Sequence, residues 1–300
     1  MVKKEGFFVF AANPIFLISV VGFFSLLVGS FLNVSIHRTP IMIQRTWDEA
    51  CKGYVHENDP GYTPEPQARF NLFVPRSYCP ACNHQITAIE NIPVISYLML
   101  RGKCKGCKTS ISKQYPIVEL LTSGTSMFIA WKFGYGFPML AMLVCAWTLI
   151  TIGMIDVKII LPDFLMWLGL LVNLSGSFID IHSAFLGAII GYLSLLSIFQ
   201  VFRLITGKDS MDCNDFKILA AIGAWGGWQI LPFTIFTSIF LVFFVGTAMM
   251  KIQREKDSIP YGSWLVLAGL IGLIFRDDIV TGMIIYFQLG SVPVLPSISI

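Results

Sequence analysis

Beyond Pro116 the sequence is apolar almost without interruption, punctuated only at Gly134/Gly136, Pro162, Gly207, Pro232 and Pro260. Apolar blocks of about 17–25 residues are what the hydrocarbon thickness of a bilayer demands of a helix. The rest of the composition agrees. A soluble domain carries about 25% charged residues, whereas this chain has 13%, with 55% hydrophobic. The fold class expected is therefore an all-α polytopic membrane protein with a small cytosolic domain. A first apolar run covers Phe7–Val34, and further spans are expected near 117–134, 137–155, 163–181, 183–204, 216–230, 231–250 and 260–275, eight in all. The 216–230 run is short and holds Gly223, Gly226 and Gly227, and 279–290 is shorter than a span. Lys3 and Lys4 precede the first run without a small-residue cleavage site, the pattern of a retained anchor.

The polar stretch His37–Tyr115, with Pro60, Pro64 and Pro66, is the one part large enough for a separate soluble domain. The expected division is 1–35, a first transmembrane helix; 36–115, a cytosolic zinc-knuckle domain; and 116–300, a membrane-embedded helical domain. Positive charge orients this map. With the N-terminus outside, the inside segments 36–115, 156–162, 205–215 and 251–259 and their helix ends hold 17 of the 21 Lys and Arg. Asp156 and Asp215 then share the cytosolic side. The net charge of +3 is too small to imply nucleic acid, so lipid is the expected surrounding.

Four of the seven cysteines form two CxxC pairs, Cys79/Cys82 and Cys104/Cys107, while Cys51, Cys145 and Cys213 stand singly. Flanking Lys and Arg suit a reduced, metal-ligating segment, not a disulfide framework. Thiolates two residues apart on a tight turn face one metal, and two such turns complete a tetrahedron. The 21 intervening residues lie just beyond the usual four-cysteine spacing. Gly106 and Asn83 suit the turns. Four thiolates leave no open position, so the zinc would be structural; the alternative is four unligated thiols.

Ionisable residues at span ends are candidates for chemistry. Asp156 closes the third span and Asp215 opens the sixth. Together, two carboxylates can share one proton, one activating water and the other polarising a carbonyl. Apart, each is a helix-end residue in the headgroup region. Asp163, after Pro162, is expected to cap the fourth span. Asp209 and Asp212 are expected in a solvated loop, and Asp180 and His182 in an outside turn. Glu119, just inside the second span, needs a backbone or basic partner. Trp225, Trp228 and Tyr261 are expected as interface anchors.

These residues together resemble the bacterial prepilin peptidases (type IV leader peptidase and N-methyltransferase), in the type IVa pilus branch, along nearly the whole chain. Gly29-Ser-Phe-Leu-Asn33-Val-Ser-Ile-His37-Arg38 is similar to the family's first-span ending. Asn71-Leu-Phe-Val-Pro-Arg-Ser-Tyr-Cys79 leads into the first CxxC, and Glu90-Asn91-Ile92-Pro93 and Leu100-Arg101-Gly102-Lys103-Cys104 lie between the pairs. Tyr115-Pro116-Ile-Val-Glu119-Leu and Ile259-Pro260-Tyr261-Gly262 complete the pattern.

The resemblance implies an aspartyl endopeptidase with catalytic Asp156 and Asp215, supported by Asp163 and Lys217. Its substrates would be the N-terminal leader and helix of prepilins and pseudopilins of type IV pili and type II secretion. It would sit in the bacterial inner membrane with its active site facing the cytosol. It also implies methylation of the new N-terminus by S-adenosylmethionine, with Gly102 and Lys103 matching positions associated with that step. One motif departs. The family has Gly-x-Gly-Asp where this chain has Asp212-Cys213-Asn214-Asp215. Asn214 is expected to hold the turn through a positive φ, and Asp212 to raise the pKa of Asp215. A prepilin-binding homologue with impaired cleavage is thus one alternative, and a membrane scaffold or transporter with a zinc docking domain another.

Overall fold

The computed structural model describes residues 13–55, 69–87, 89–155, 160–207, 213–246 and 261–290. Among them there is no β-strand, only isolated bridges at Tyr78–Gln85 and Lys103–Ser110. The helices are α1 (Pro14–Val55), α2 (Ile95–Met99), α3 (Gln114–Phe133), α4 (Phe137–Met154), α5 (Leu161–Asn173), α6 (Ile181–Thr206), α7 (Cys213–Gly226), α8 (Leu231–Leu241), α9 (Tyr261–Ile274) and α10 (Arg276–Gly290). Four stretches are long and apolar enough to cross a membrane: α1, α4, α6 and Trp228–Val245. The eight expected spans are therefore not reached among the described residues. The fourth expected span, 163–181, contains a helix that ends at Asn173, and α9 has 14 residues among those described.

The chain divides into two compact units, 1–157 and 158–300. In the first, α1 runs for 42 residues with Pro40 inside it. At 1.5 Å per residue that is about 63 Å, roughly twice a bilayer's hydrocarbon thickness. The helix thus continues well past the apolar run that ends at Val34. It lies against α3 by close backbone approach: a Cβ on Gly29 would sit 2.8 Å from Glu119 Cα. Ser123 Oγ donates to Gly22 O (2.9 Å), and Asn33 Nδ2 donates to Tyr115 O (3.0 Å).

In the second unit, α7 is the central element. Phe216, Ile218, Leu219, Ala220, Ala221, Ile222, Ala224 and Trp225 are all buried, as expected of a helix that is apolar on every side. Trp225 is therefore a core residue and not an interface anchor. Its Nε1 donates to Leu165 O at 2.8 Å. Trp228 is half exposed. The α5–α6 turn is stitched by Asn173, whose Nδ2 donates to Ala224 O while its Oδ1 accepts from the N–H groups of Phe178 and Ile179. Asp180 caps α6, accepting from His182 N at 3.0 Å.

Candidate active site and metal centre

In the first unit the two CxxC segments fold into matching knuckles. Cys79 O accepts from Asn83 N (2.8 Å), and Cys79 N donates to His84 O (2.9 Å). Cys104 O accepts from Lys108 N (3.0 Å), and Cys104 N donates to Thr109 O (2.8 Å). The left-handed residue of each turn follows its second cysteine: Asn83 at φ 56° and Lys108 at φ 61°. Asn83 behaves as expected, but Lys108, not Gly106, turns the second knuckle. Gly106 packs against the first knuckle, where an added Cβ would lie 3.3 Å from His84 Cβ and 3.4 Å from Cys82 Sγ, a contact tight by no more than a few tenths of an ångström.

The four thiols lie within 4.8 Å of one another. Cys79 Sγ is 3.8 Å from Cys107 Sγ, and Cys82 Sγ is 4.0 Å from Cys104 Sγ. Zn–S bonds of about 2.3 Å in a tetrahedron place sulfurs about 3.8 Å apart. The cluster can therefore hold a metal ion of that size. Thr109 Oγ1 lies 3.1 Å from Cys107 Sγ. That hydroxyl and the Thr109 backbone N–H stabilise the thiolate and lower Cys107 to about 6. The backbone N–H groups of Ala81 and Cys82 likewise lower Cys79. At Cys82 the His84 backbone N–H pulls downward, but desolvation and the other sulfurs outweigh it, and the thiol is pushed up to about 12.

A clasp that the residue pattern had not suggested joins the knuckles. Glu90 Oε2 is 3.2 Å from the His84 ring nitrogen and accepts from Thr87 N at 3.0 Å, while Oε1 is 3.3 Å from Lys105 Nζ. His84 belongs to the first knuckle and Lys105 to the second. The Thr87 N–H, with His84 and Lys105, holds the Glu90 carboxyl down to about 2. The signal was present in the sequence: Glu90 is the one acid between Glu65 and Glu119, in a segment crowded with Lys and Arg. Glu119 finds the backbone partner it needs, accepting from Val94 N at 2.7 Å. Gly102 has φ +67° and faces Tyr97, whose hydroxyl would lie 2.9 Å from an added Cβ. Lys103 pairs with Ser110 in the second bridge.

In the second unit Asp215 sits in the first turn of α7 and is only 4% exposed. A carboxylate there meets the positive end of the helix dipole. Two residues on, about 200° around the helix, Lys217 Nζ pairs with Asp163 Oδ2 at 2.7 Å. Asp163 does not cap α5. The N-cap position is Ile160, whose side chain has no acceptor, so the helix has no side-chain cap. Asp163 lies further in and ties α5 to α7 instead. Both partners are over one-third exposed, so the pair is worth less than about 1 kcal/mol, and it acts chiefly to set register. Tyr261, at the start of α9, hydrogen-bonds Ser238 Oγ at 2.9 Å and lies within electrostatic reach of Asp215. Asn214 is helical, with no positive φ, so it does not replace the family's turn glycine. Asp156, Asp209 and Asp212 lie outside the described residues.

Residues 23–133 match the family model described as the bacterial peptidase A24 N-terminal domain, and residues 136–247 match the type IV leader peptidase family. The chain belongs to the type IV leader peptidase family. The first match contains all four knuckle cysteines, Gly102 and Lys103; the second contains Asp156, Asp163, Asp215 and Lys217. Similar curated proteins carry the name prepilin leader peptidase/N-methyltransferase. One from Stutzerimonas stutzeri is 45% identical over 287 residues, covering 93% of this chain and 98% of the relative. One from Pseudomonas aeruginosa is 44% identical over 277 residues, covering 90% and 94%. One from Dichelobacter nodosus is 43% identical over 266 residues, covering 86% and 92%. No solved structure matches the chain.

Proposed function

We propose that this family member is a membrane aspartyl endopeptidase that removes the leader from type IV prepilins and pseudopilins and then N-methylates the new N-terminus. The observation that carries the reading is 44–45% identity along at least 90% of the chain with relatives whose name joins those two activities. Asp156 and Asp215 are the catalytic pair. One carboxylate is ionised and takes a proton from water, while the protonated partner donates to the scissile carbonyl. Water attacks directly, so no acyl-enzyme forms. The burial of Asp215 supports its part, because desolvation favours a shared proton over two charges. Asp163 and Lys217 support the site by tying α5 to α7 at its catalytic end.

The active site faces the cytosol in the inner membrane, on the side that holds most of the Lys and Arg. Zinc on Cys79, Cys82, Cys104 and Cys107 is structural and holds the two knuckles together. S-adenosylmethionine supplies the electrophilic methyl group when bound. Gly102 and Lys103 serve that half of the reaction.

The altered Asp212-Cys213-Asn214 segment, with Asn214 helical, favours one second reading: a homologue that binds prepilins but cleaves them poorly. Incubating the purified protein with a prepilin and reading the product by mass separates the two. Leader loss followed by a gain of one methyl supports the enzyme. Retention of an intact prepilin in a stable complex supports the binder.

A further inference from the structure

A cavity of about 610 Å³ lies in the first unit between α1 from Ser30 to Arg45, the start of α3 and the knuckle segment. Its size falls in the range of sites that enclose a small molecule, about 300–1,000 Å³. Two of its charged wall groups are already engaged. Arg38 donates to Asn71 O and Pro75 O (2.9 and 2.7 Å), and Glu119 accepts from Val94 N.

Three features with capacity left suit a small charged ligand. Glu90 has a side chain only 9% exposed, and its Oε1 is buried without a hydrogen-bond partner; Lys105 Nζ, at 3.3 Å, makes an ion pair but not a hydrogen bond. Arg45 lies 4.3 Å from the centre of the Phe70 ring and pairs with no carboxylate among the described residues. The aromatic side chains of Tyr78 and Tyr97 also line the wall.

We propose that this cavity binds the methyl donor, an adenosyl sulfonium amino acid; the proposal rests on the methyltransferase half of the function above. The chemistry of the ligand matches these three features. A sulfonium cation is stabilised by a buried carboxylate and by aromatic faces, which Glu90, Tyr78 and Tyr97 supply. An α-carboxylate takes a guanidinium, with Arg45 already oriented by its ring contact. A flat purine takes an aromatic wall. The placement also gives Gly102 a role although it does not line the cavity. Any side chain at 102 would drive Tyr97 from its place, since the hydroxyl would be 2.9 Å from the new Cβ. Gly102 is then a positioning residue acting through Tyr97.

The test is equilibrium binding of radiolabelled S-adenosylmethionine to the purified full-length chain in detergent. Zinc content and leader cleavage are measured on the same samples. Ile41→Trp, which places an indole in the cavity from α1, is expected to weaken binding at least tenfold with zinc and cleavage intact. Glu90→Gln is expected to do the same, and if it also releases zinc, Ile41→Trp decides. Wild-type binding that both variants retain within twofold overturns the placement and leaves the methyltransferase reading standing. A wild-type protein that binds no S-adenosylmethionine and yields cleaved but unmethylated pilin overturns that reading itself.

Discussion

The position of Asp215 depends on how closely α6 and α7 approach, and that approach depends on glycine. Gly187 and Gly191 are four residues apart on α6, the spacing that lets membrane helices touch backbone to backbone. A Cβ on Gly187 would lie 2.3 Å from Gly223 O, and one on Gly191 would lie 2.7 Å from Leu219 O. An ordinary contact starts at 3.4 Å. Gly187→Ala therefore demands a separation of about 1.1 Å, the difference between 3.4 and 2.3 Å. No flexible side chain can absorb this, because the obstructing atom is backbone. The strain belongs with overpacking, about 1–3 kcal/mol. Its larger effect should be on rate, since about 1 Å of misplacement costs about 10²-fold.

Gly187→Ala should thus lower kcat/KM for leader removal by about 10²-fold while the protein stays folded and keeps its metal. Gly124→Ala is the control, because nothing lies within 4 Å of a Cβ there, and it should be neutral. The assay is the initial rate of leader loss in detergent, with helicity and zinc content measured in parallel. A folded Gly187→Ala protein that cleaves within threefold of wild type would refute the packing argument.

Three further outcomes follow from the metal centre. Elemental analysis should give about one zinc per chain, lost when any of Cys79, Cys82, Cys104 or Cys107 is changed to Ser but unaffected by Cys51→Ser or Cys145→Ser; a metal-free protein that stays folded and active would contradict this. In protein stripped of zinc, Cys107 should be the first thiol alkylated, its rate rising through about pH 6, while Cys82, held near 12, stays unreactive at neutral pH; mass mapping of the labelled peptides gives the order. Glu90→Gln should weaken zinc-free knuckle stability at neutral pH but not below about pH 2. The folded carboxyl sits near 2, against about 4.3 unfolded, so its contribution is complete above the higher value and fades as pH falls through the lower. Amide exchange of residues 79–110 as a function of pH reads this.

Chemistry carried by local spacing was legible in the sequence, and contacts made by packing were not. The two CxxC turns could be paired because each knuckle is set by six consecutive residues, Cys79–His84 and Cys104–Thr109. The length of α1 could not be read, because residues after His37 are polar, and an apolar count stops where a helix of charged residues goes on to Val55. Asp163 shows the same limit. Its place after Pro162 suggested a cap, but its partner Lys217 is 54 residues away and is reached only once α5 lies on α7. Trp225 suggested an interface anchor by type, and only the approach of α5, with Gly169 2.4 Å from its ring in any substituted form, shows it to be buried. Gly106 suggested the turn residue by type, and only the backbone shows that Lys108 takes the positive φ instead.

The central claim is that two aspartates, Asp156 and Asp215, cleave the leader. The most direct measurement is leader removal from a prepilin by Asp156→Asn, Asp215→Asn, Asp163→Asn and Asp212→Asn proteins, each shown to be folded and zinc-loaded. The account predicts that the first two show no cleavage, while the last two fall far less. Asp212→Asn without cleavage beside an active Asp215→Asn would move the pair one turn earlier. Undiminished cleavage in both Asp156→Asn and Asp215→Asn would contradict the aspartyl mechanism outright.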